Sequence, residues 1–280
     1  MNIAIVGAGR LAATLAPALQ RAGYKITEVV SRPAPASLRE ARKLARSVGS
    51  HSVLSANARL SAGLVWFCVP DGEILKAAVD LARSAGWKSK LAFHSSGALA
   101  SDELNLLRQG GAAVASVHPL MTFVEGAKPD LQGVPFAIEG DRSAATLARR
   151  IVKHLGGEPF NIREEDKVLY HSWGTFISPL FIALLATAEQ VARAAGISSP
   201  DARKKMLPIL RQTLANYATH GPANAFSGPM VRGDADVLRR HLAALKKVPQ
   251  AEDVYRALAR SALRYLPSKH PGRSRTALRG

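Results

Sequence analysis

Short β-branched runs alternate with alanine-rich amphipathic segments through the first half of the chain, the pattern of βαβ units built on a buried parallel sheet. Strands are expected at residues 3–6, 25–30, 64–69, 90–93, 113–117, 135–138 and 159–162. Helical periodicity fills the gaps at 11–22, 38–47, 73–85 and 143–155, with Gly23, Gly86 and Gly156 placed to end three of them. After Ile162 the alternation stops, and helices are expected at 165–195, 200–219, 235–245 and 252–266. Ser199-Pro200-Asp201 reads as a helix start, with a capping serine, a proline at the first helical position and an acid in the first turn. Pro17, Pro179 and Pro208 fall inside predicted helices, where each costs about 3 kcal/mol away from a first turn or a kink. The pattern gives no reason for Pro17. The expected class is α/β: a doubly wound parallel sheet over residues 1–162, then an all-helical domain over 163–266. A basic tail, 267–280, has no periodic apolar positions and is expected to be disordered.

Composition agrees with two domains, since 280 residues that are 47% apolar supply ample buried material. A formal charge of +17 and a pI near 10.6 invite a nucleic-acid partner, so the placing of the cations matters more than their sum. They are dispersed. Arg39, Arg42, Lys43 and Arg46 share one predicted helix, Arg203, Lys204 and Lys205 another, and Arg264, Lys269, Arg273, Arg275 and Arg279 lie in or near the tail. No interleaved aromatics accompany them, so solvated helix faces are expected and nucleic acid is not, although such a field also suits an anionic cofactor or substrate. Cys68 is the only cysteine, which removes disulfides and thiolate metal sites and fits a reducing cytoplasm. Met1 to Val6 runs straight into Gly7 without a positive leader or cleavage site, so no signal peptide is expected. The uncharged stretch 172–188 is at the lower limit for crossing a bilayer and is interrupted by Gly174, Thr175, Ser178 and Pro179. It is expected to be a helix buried between domains or subunits, not a membrane segment.

Gly7-Ala8-Gly9-Arg10-Leu11-Ala12 is a G-x-G-x-x-A dinucleotide fingerprint, and it stands between a predicted strand and an alanine-rich helix, the context such a match requires. Gly7 permits the tight turn, Gly9 lets the backbone approach a pyrophosphate, and Ala12 keeps helix and strand close; the helix N-terminus holds the phosphates. A tight turn that binds nothing is the rival reading. Where an acid would accept hydrogen bonds from an NAD ribose, this chain has Ser31-Arg32. Ser31 can donate to a 2′-phosphate and Arg32 can pair with it, so NADP is the expected cofactor of a Rossmann domain here. Alternatively, Arg32 caps a surface turn before Pro33. Val69-Pro70-Asp71 and His94-Ser95-Ser96-Gly97 end two further strands at the same crevice; Val69 and Pro70 are expected beside the cofactor ribose, Ser95 and Ser96 near the nicotinamide. Asp71 and Ser96 read equally well as turn residues.

With these motifs, with Ser116-Val117-His118-Pro119-Leu120 and Tyr170-His171, and with Ser227-Gly228-Pro229-Met230-Val231-Arg232-Gly233-Asp234, the chain resembles Rossmann-like proteins that carry a C-terminal helical domain of unknown function. Those are relatives of pyrroline-5-carboxylate reductase and of the 6-phosphogluconate and 3-hydroxyacid dehydrogenases. The resemblance covers residues 1 to about 266. It implies an NADP-linked oxidoreductase with a 6-phosphogluconate dehydrogenase-like helical domain, and names no substrate.

His118 follows a predicted strand and can act as an acid or orienting donor in the crevice, or merely cap the strand end. Lys167 and His171 stand four apart on one helix face, the spacing at which the hydroxyacid dehydrogenases that this chain resembles carry a lysine and an asparagine. Histidine replaces asparagine, which leaves the proton donor open between His171 and Lys167; Lys167 as a solvated partner of Glu164 is the alternative. Arg232, with Ser227, could clamp a substrate carboxylate, or Arg232 could pair with Asp234 at a helix start. The function expected is hydride transfer between NADP and a small anionic carbonyl or imine compound by a cytoplasmic homodimer without a metal. Two alternatives are an NADP-binding regulator that catalyses nothing, and hydride exchange with a deazaflavin.

Overall fold

The computed structural model describes residues 1–83 and 86–266. The last residues of the helix expected at 73–85 and the whole basic tail lie outside that set. Eight strands form one sheet in the order β3-β2-β1-β4-β5-β6-β7-β8. They are β1 Asn2–Val6, β2 Lys25–Ser31, β3 His51–Leu54, β4 Leu64–Phe67, β5 Leu91–His94, β6 Ala113–Pro119, β7 Pro135–Gly140 and β8 Glu158–Asn161. The first six run parallel, as expected. β7 pairs antiparallel with β6, and β8 runs parallel to β7, so the sheet is mostly rather than wholly parallel. A parallel return needs a crossover of a dozen or more residues, usually a helix. Residues 120–134 form none, and Leu120 N–H donates to Pro135 C=O at 2.8 Å, closing a direct antiparallel return.

Both faces of the central strands are buried, which is why they read as continuous apolar runs. Ile3 and Ile5 face one core with α1 (Arg10–Arg21), α2 (Pro35–Ser47) and α5 (Arg142–His154). Ala4 and Val6 face the other, with α3 (Asp71–Ala82) and α4 (Asn105–Gln109). In α1, Ala12, Leu15, Ala16 and Leu19 supply the buried stripe, and Pro17 lies inside the helix. The strand β3 was not expected, because His51-Ser52-Val53-Leu54 is a half-buried edge with no apolar run.

The first compact unit is Met1–Thr175, and the second is Phe176–Gly280. The helix expected at 165–195 is divided at Ser178 into α6 (Lys167–Ile177) and α7 (Pro179–Ala194), with Pro179 in the first turn of α7, where it costs no hydrogen bond. Residues 164–194 are long and apolar enough, by length and composition, to cross a membrane. α8 (Ser199–Asn224) is capped by Ser198, not Ser199: Asp201 N–H donates to Ser198 Oγ at 3.3 Å. It kinks at Gly221, and α9 (Pro229–Arg232), α10 (Ala235–Leu245) and α11 (Ala251–Ala262) follow.

Candidate active site

At the end of β1 the chain turns on Gly7, whose φ of +93° is costly for any other residue. Gly7 N–H donates to Val30 C=O at 2.8 Å. A Cβ on Gly7 would lie 2.7 Å from both Cys68 O and Val69 Cγ1, so the turn cannot accept a side chain. Gly9 is the N-cap of α1 and supplies no side-chain cap, and the first turn holds no acid, so this helix end keeps the positive end of its dipole uncompensated. Among the described residues, the closest approach to a Cβ added at Gly9 is 3.9 Å, from Cys68 O.

The turn opens on a cleft of about 320 Å³ lined by Gly7, Ala8, Gly9, Ser31, Arg32, Val69 and Pro70 among others. Ser31 is 5% exposed, and its Oγ has no hydrogen-bond partner among the described residues. A buried hydroxyl without a partner costs about 1–3 kcal/mol, and a ligand would remove that cost. Arg32 Nη1 lies 3.4 Å from Glu73 Oε2, and its Nε donates to Ser37 Oγ at 3.3 Å. Lys76 Nζ lies 3.0 Å from Glu73 Oε1. The Lys76 hydrogen bond, more than any other contact, holds the Glu73 carboxyl below the usual carboxylate range. The bare Gly9 helix end, the unpartnered Ser31 hydroxyl and Arg32 together fit a dinucleotide.

A second cluster forms where β5 and β6 end. Phe67 pairs with His94 across β4 and β5, which sets Val69 and the Ser95–Ser96 loop at one edge of the sheet. His94 is fully buried; its Nδ1 accepts from Ser96 N–H at 3.1 Å, so Nε2 carries the proton and donates to Ala100 C=O at 2.9 Å. Burial is the main cause that depresses its pKa to about 4. Ser96 Oγ accepts from Ala98 and Leu99 N–H, and Ser95 Oγ accepts from Trp66 Nε1–H at 2.9 Å. The two hydroxyls expected near the nicotinamide thus shape and anchor their own loop.

Lys167 begins α6 and is 1% exposed, not the solvated partner of Glu164 that one reading of the sequence allowed. Its Nζ donates to Ser116 Oγ at 2.7 Å and Ser96 C=O at 3.1 Å, and stands 4.0 Å from Glu139 Oε1. Glu139 in turn accepts from Ser101 N–H at 2.7 Å and Ser101 Oγ–H at 2.8 Å. Burial pushes the lysine pKa down and the glutamate pKa up, and their mutual attraction opposes both shifts. One turn on, the Tyr170 hydroxyl is 2.8 Å from His118 Nδ1. His118 is depressed to about 3, first by burial and then by Lys167, His171 and His94. The His118 and His171 rings meet edge to face at 6.1 Å between centroids, and His171 is exposed.

Of the expected cofactor residues, Arg10, Leu11, Ser95 and Ser96 do not line the cleft: the first two open α1, with Leu11 packed on the core, and the two serines lie in the loop after β5. Ser227 and Arg232 belong to the second unit, and Arg232 Nε donates to Asp234 Oδ2 at 2.8 Å. Glu73, Lys76 and Glu139 were not anticipated, and Ser116 was singled out only as part of a motif, without a role. Glu73 and Lys76 were within reach of the sequence as a pair three apart at a helix start. Glu139 was not, because only the fold brings β7 to α6.

The fold and the glycine turn define a dinucleotide-binding protein of the Rossmann class with a helical C-terminal region. A comparison with protein families matches residues 1–119 to a Rossmann-like domain and residues 134–262 to a domain of unknown function, DUF2520. The chain is a Rossmann-like protein with a C-terminal DUF2520 domain. Among solved structures it is similar to a Bacteroides fragilis protein provisionally named an NADP oxidoreductase, with 25% identity, a TM-score of 0.78, and 93% of this chain and 97% of that chain covered. A Thermotoga maritima protein gives 23%, 0.73, 94% and 97% in the same order. An imine reductase from Myxococcus stipitatus, solved with NADP+, gives 16%, 0.67, 94% and 94%. The last two likenesses speak to fold alone. A comparison with curated proteins gave no match.

Proposed function

We propose that this protein is an NADP-dependent oxidoreductase that reduces, or in reverse forms, a C=O or C=N bond in a small anionic compound. The observation that carries this is the glycine turn opening on a cleft with an unpartnered Ser31 hydroxyl beside Arg32. The likeness to a protein provisionally named an NADP oxidoreductase supports it.

When bound, the nicotinamide supplies or accepts the hydride; the chain does the rest. The Gly9 helix end and the turn amides hold the pyrophosphate, and Ser31 and Arg32 hold the 2′-phosphate. Lys167 and Ser116 fix the Ser96 carbonyl, and with it the Gly97 backbone against the two imidazoles. His171 is the proton carrier. Lys167 is buried and donates to Ser96 C=O and Ser116 Oγ, and His118, depressed to about 3, is neutral at physiological pH and engaged by Tyr170. His171 alone of the three is exposed. A cytoplasmic setting accords with the lone, buried Cys68 thiol.

The test is turnover against a panel of keto acids and imines, followed by loss of reduced-nicotinamide absorbance. His171→Ala should abolish turnover and leave NADPH affinity within about twofold. A variant that still turns over would move the proton transfer elsewhere, and failure of the native protein to bind NADPH would end the reading. The active species is a homodimer joined through the second unit, whose α7 and α8 display apolar side chains.

A further inference from the structure

The cleft presents a charge pattern that the cofactor reading does not use. Although the chain carries +17, the cleft is lined by three carboxylates, Glu40, Glu73 and Asp80, against two cations, Arg32 and Lys76. Of these acids, Glu73 touches both cations: one carboxylate oxygen lies 3.4 Å from Arg32 Nη1 and the other 3.0 Å from Lys76 Nζ. Arg32 comes from the end of β2 and Lys76 from α3, so elements far apart in sequence aim two cations at one anion. Ser31 Oγ, buried and without a partner, lines the same cleft.

We propose that Glu73 is a displaceable counter-anion that holds Arg32 and Lys76 until an adenosine 2′-phosphate takes both from it, and that it thereby sets the cofactor preference. The proposal rests on the cofactor reading above and adds two residues to it, Lys76 as a phosphate ligand and Glu73 as its internal competitor. A phosphomonoester near pH 7 carries close to two negative charges and three acceptor oxygens, against one charge and two oxygens on a carboxylate. It can engage a guanidinium bidentately, an ammonium and the Ser31 hydroxyl together, whereas Glu73 leaves Ser31 unserved. After the exchange, Glu73 stands as a like charge beside the phosphate and limits its affinity. Glu73 therefore lowers discrimination between the two cofactors rather than raising it.

Calorimetric titration of the full chain with adenosine 2′,5′-bisphosphate and with 5′-AMP isolates the 2′-phosphate, and NADPH and NADH repeat the comparison on whole cofactors. Glu73→Gln should tighten the bisphosphate and NADPH about two- to fivefold, the range of an exposed charge pair, and leave 5′-AMP and NADH unchanged. Lys76→Ala should loosen the bisphosphate and NADPH by about fivefold or more, again with 5′-AMP and NADH unchanged. Glu73→Gln that weakens 5′-AMP and NADH would overturn the proposal, since Glu73 would then be a ribose acceptor. Native protein that binds the nucleotides while both variants keep the native ratio would also overturn it, and leave the cofactor reading standing. Native protein that binds none of the four overturns both.

Discussion

At Gly97 an added Cβ would lie 2.5 Å from His171 Cδ2 and 2.8 Å from His118 Nε2, distances that real Cβ atoms do not tolerate. The backbone cannot retreat, because the preceding carbonyl is held by Lys167 and by Ser116 Oγ–H at 3.1 Å. Nor can His118 move cheaply, with Tyr170 on its Nδ1. The exposed His171 is the side chain that must swing away. Gly97→Ala should therefore cost only about 1–3 kcal/mol of stability while removing turnover, with NADPH binding intact. Urea unfolding beside an activity assay and a cofactor titration checks this. An active Gly97→Ala protein would show that the contact of His171 with the loop is incidental.

On the scale of elements, the carboxyl ends of β5 and β6 hold two histidines that the fold keeps neutral. His94 is depressed to about 4 and His118 to about 3, chiefly by burial, whereas both titrate near 6.5 in an unfolded chain. Between those values the unfolded chain binds protons that the folded protein refuses, so stability is lost as pH falls below about 6.5, and the loss levels off below the folded values. Each histidine contributes a slope of roughly 1.4 kcal/mol per pH unit, or about 3–4 kcal/mol for the pair between pH 7 and 5. Glu139, raised by burial, acts in the opposite sense above the ordinary carboxylate range. Urea midpoints at pH 7 and 5 measure the sum, and His94→Asn should remove about half of the dependence. An unchanged midpoint would mean that these imidazoles are hydrated.

The same elements show which features the sequence carried. That Gly7, Ser31 and Arg32 meet at one cleft was legible, because a tight turn and the end of the neighbouring strand are marked locally in the sequence. β3 was invisible because an edge strand needs no apolar alternation, and the reversal at β7 was signalled by the absence of a helical pattern over residues 120–134, which a parallel-sheet reading overlooked. The partners of Lys167 were beyond reach: Ser96 comes from the loop after β5, Ser116 from β6 and Glu139 from β7, and only sheet order brings them to α6. Spacing alone placed Lys167 on the helix face of His171, yet the two side chains differ completely in burial.

For the whole molecule, two quantities oppose each other. In the second unit, Phe176 is 69% exposed, Ile182 62% and Ile209 67%, and α7 buries no residue at all. Such a surface is costly in water at roughly 25 cal/mol per Å² of apolar area, and pairing with a second copy through a standard interface of about 800 Å² per partner would cover it. Each copy, however, brings +17 of charge, so two copies repel. That repulsion is screened over about 10 Å at 0.1 M salt, while hydrophobic burial is not weakened. A homodimer joined through this face should therefore tighten as salt is raised from low to moderate concentration, the reverse of an assembly held by ion pairs. Sedimentation velocity across a salt series reads this directly, and Ile182→Glu, which places a charge on the apolar face of α7, should give a folded monomer at every salt concentration. A native protein that stays monomeric throughout, or a dimer that salt dissociates, would show that the apolar face of α7 and α8 is not the surface that joins two copies.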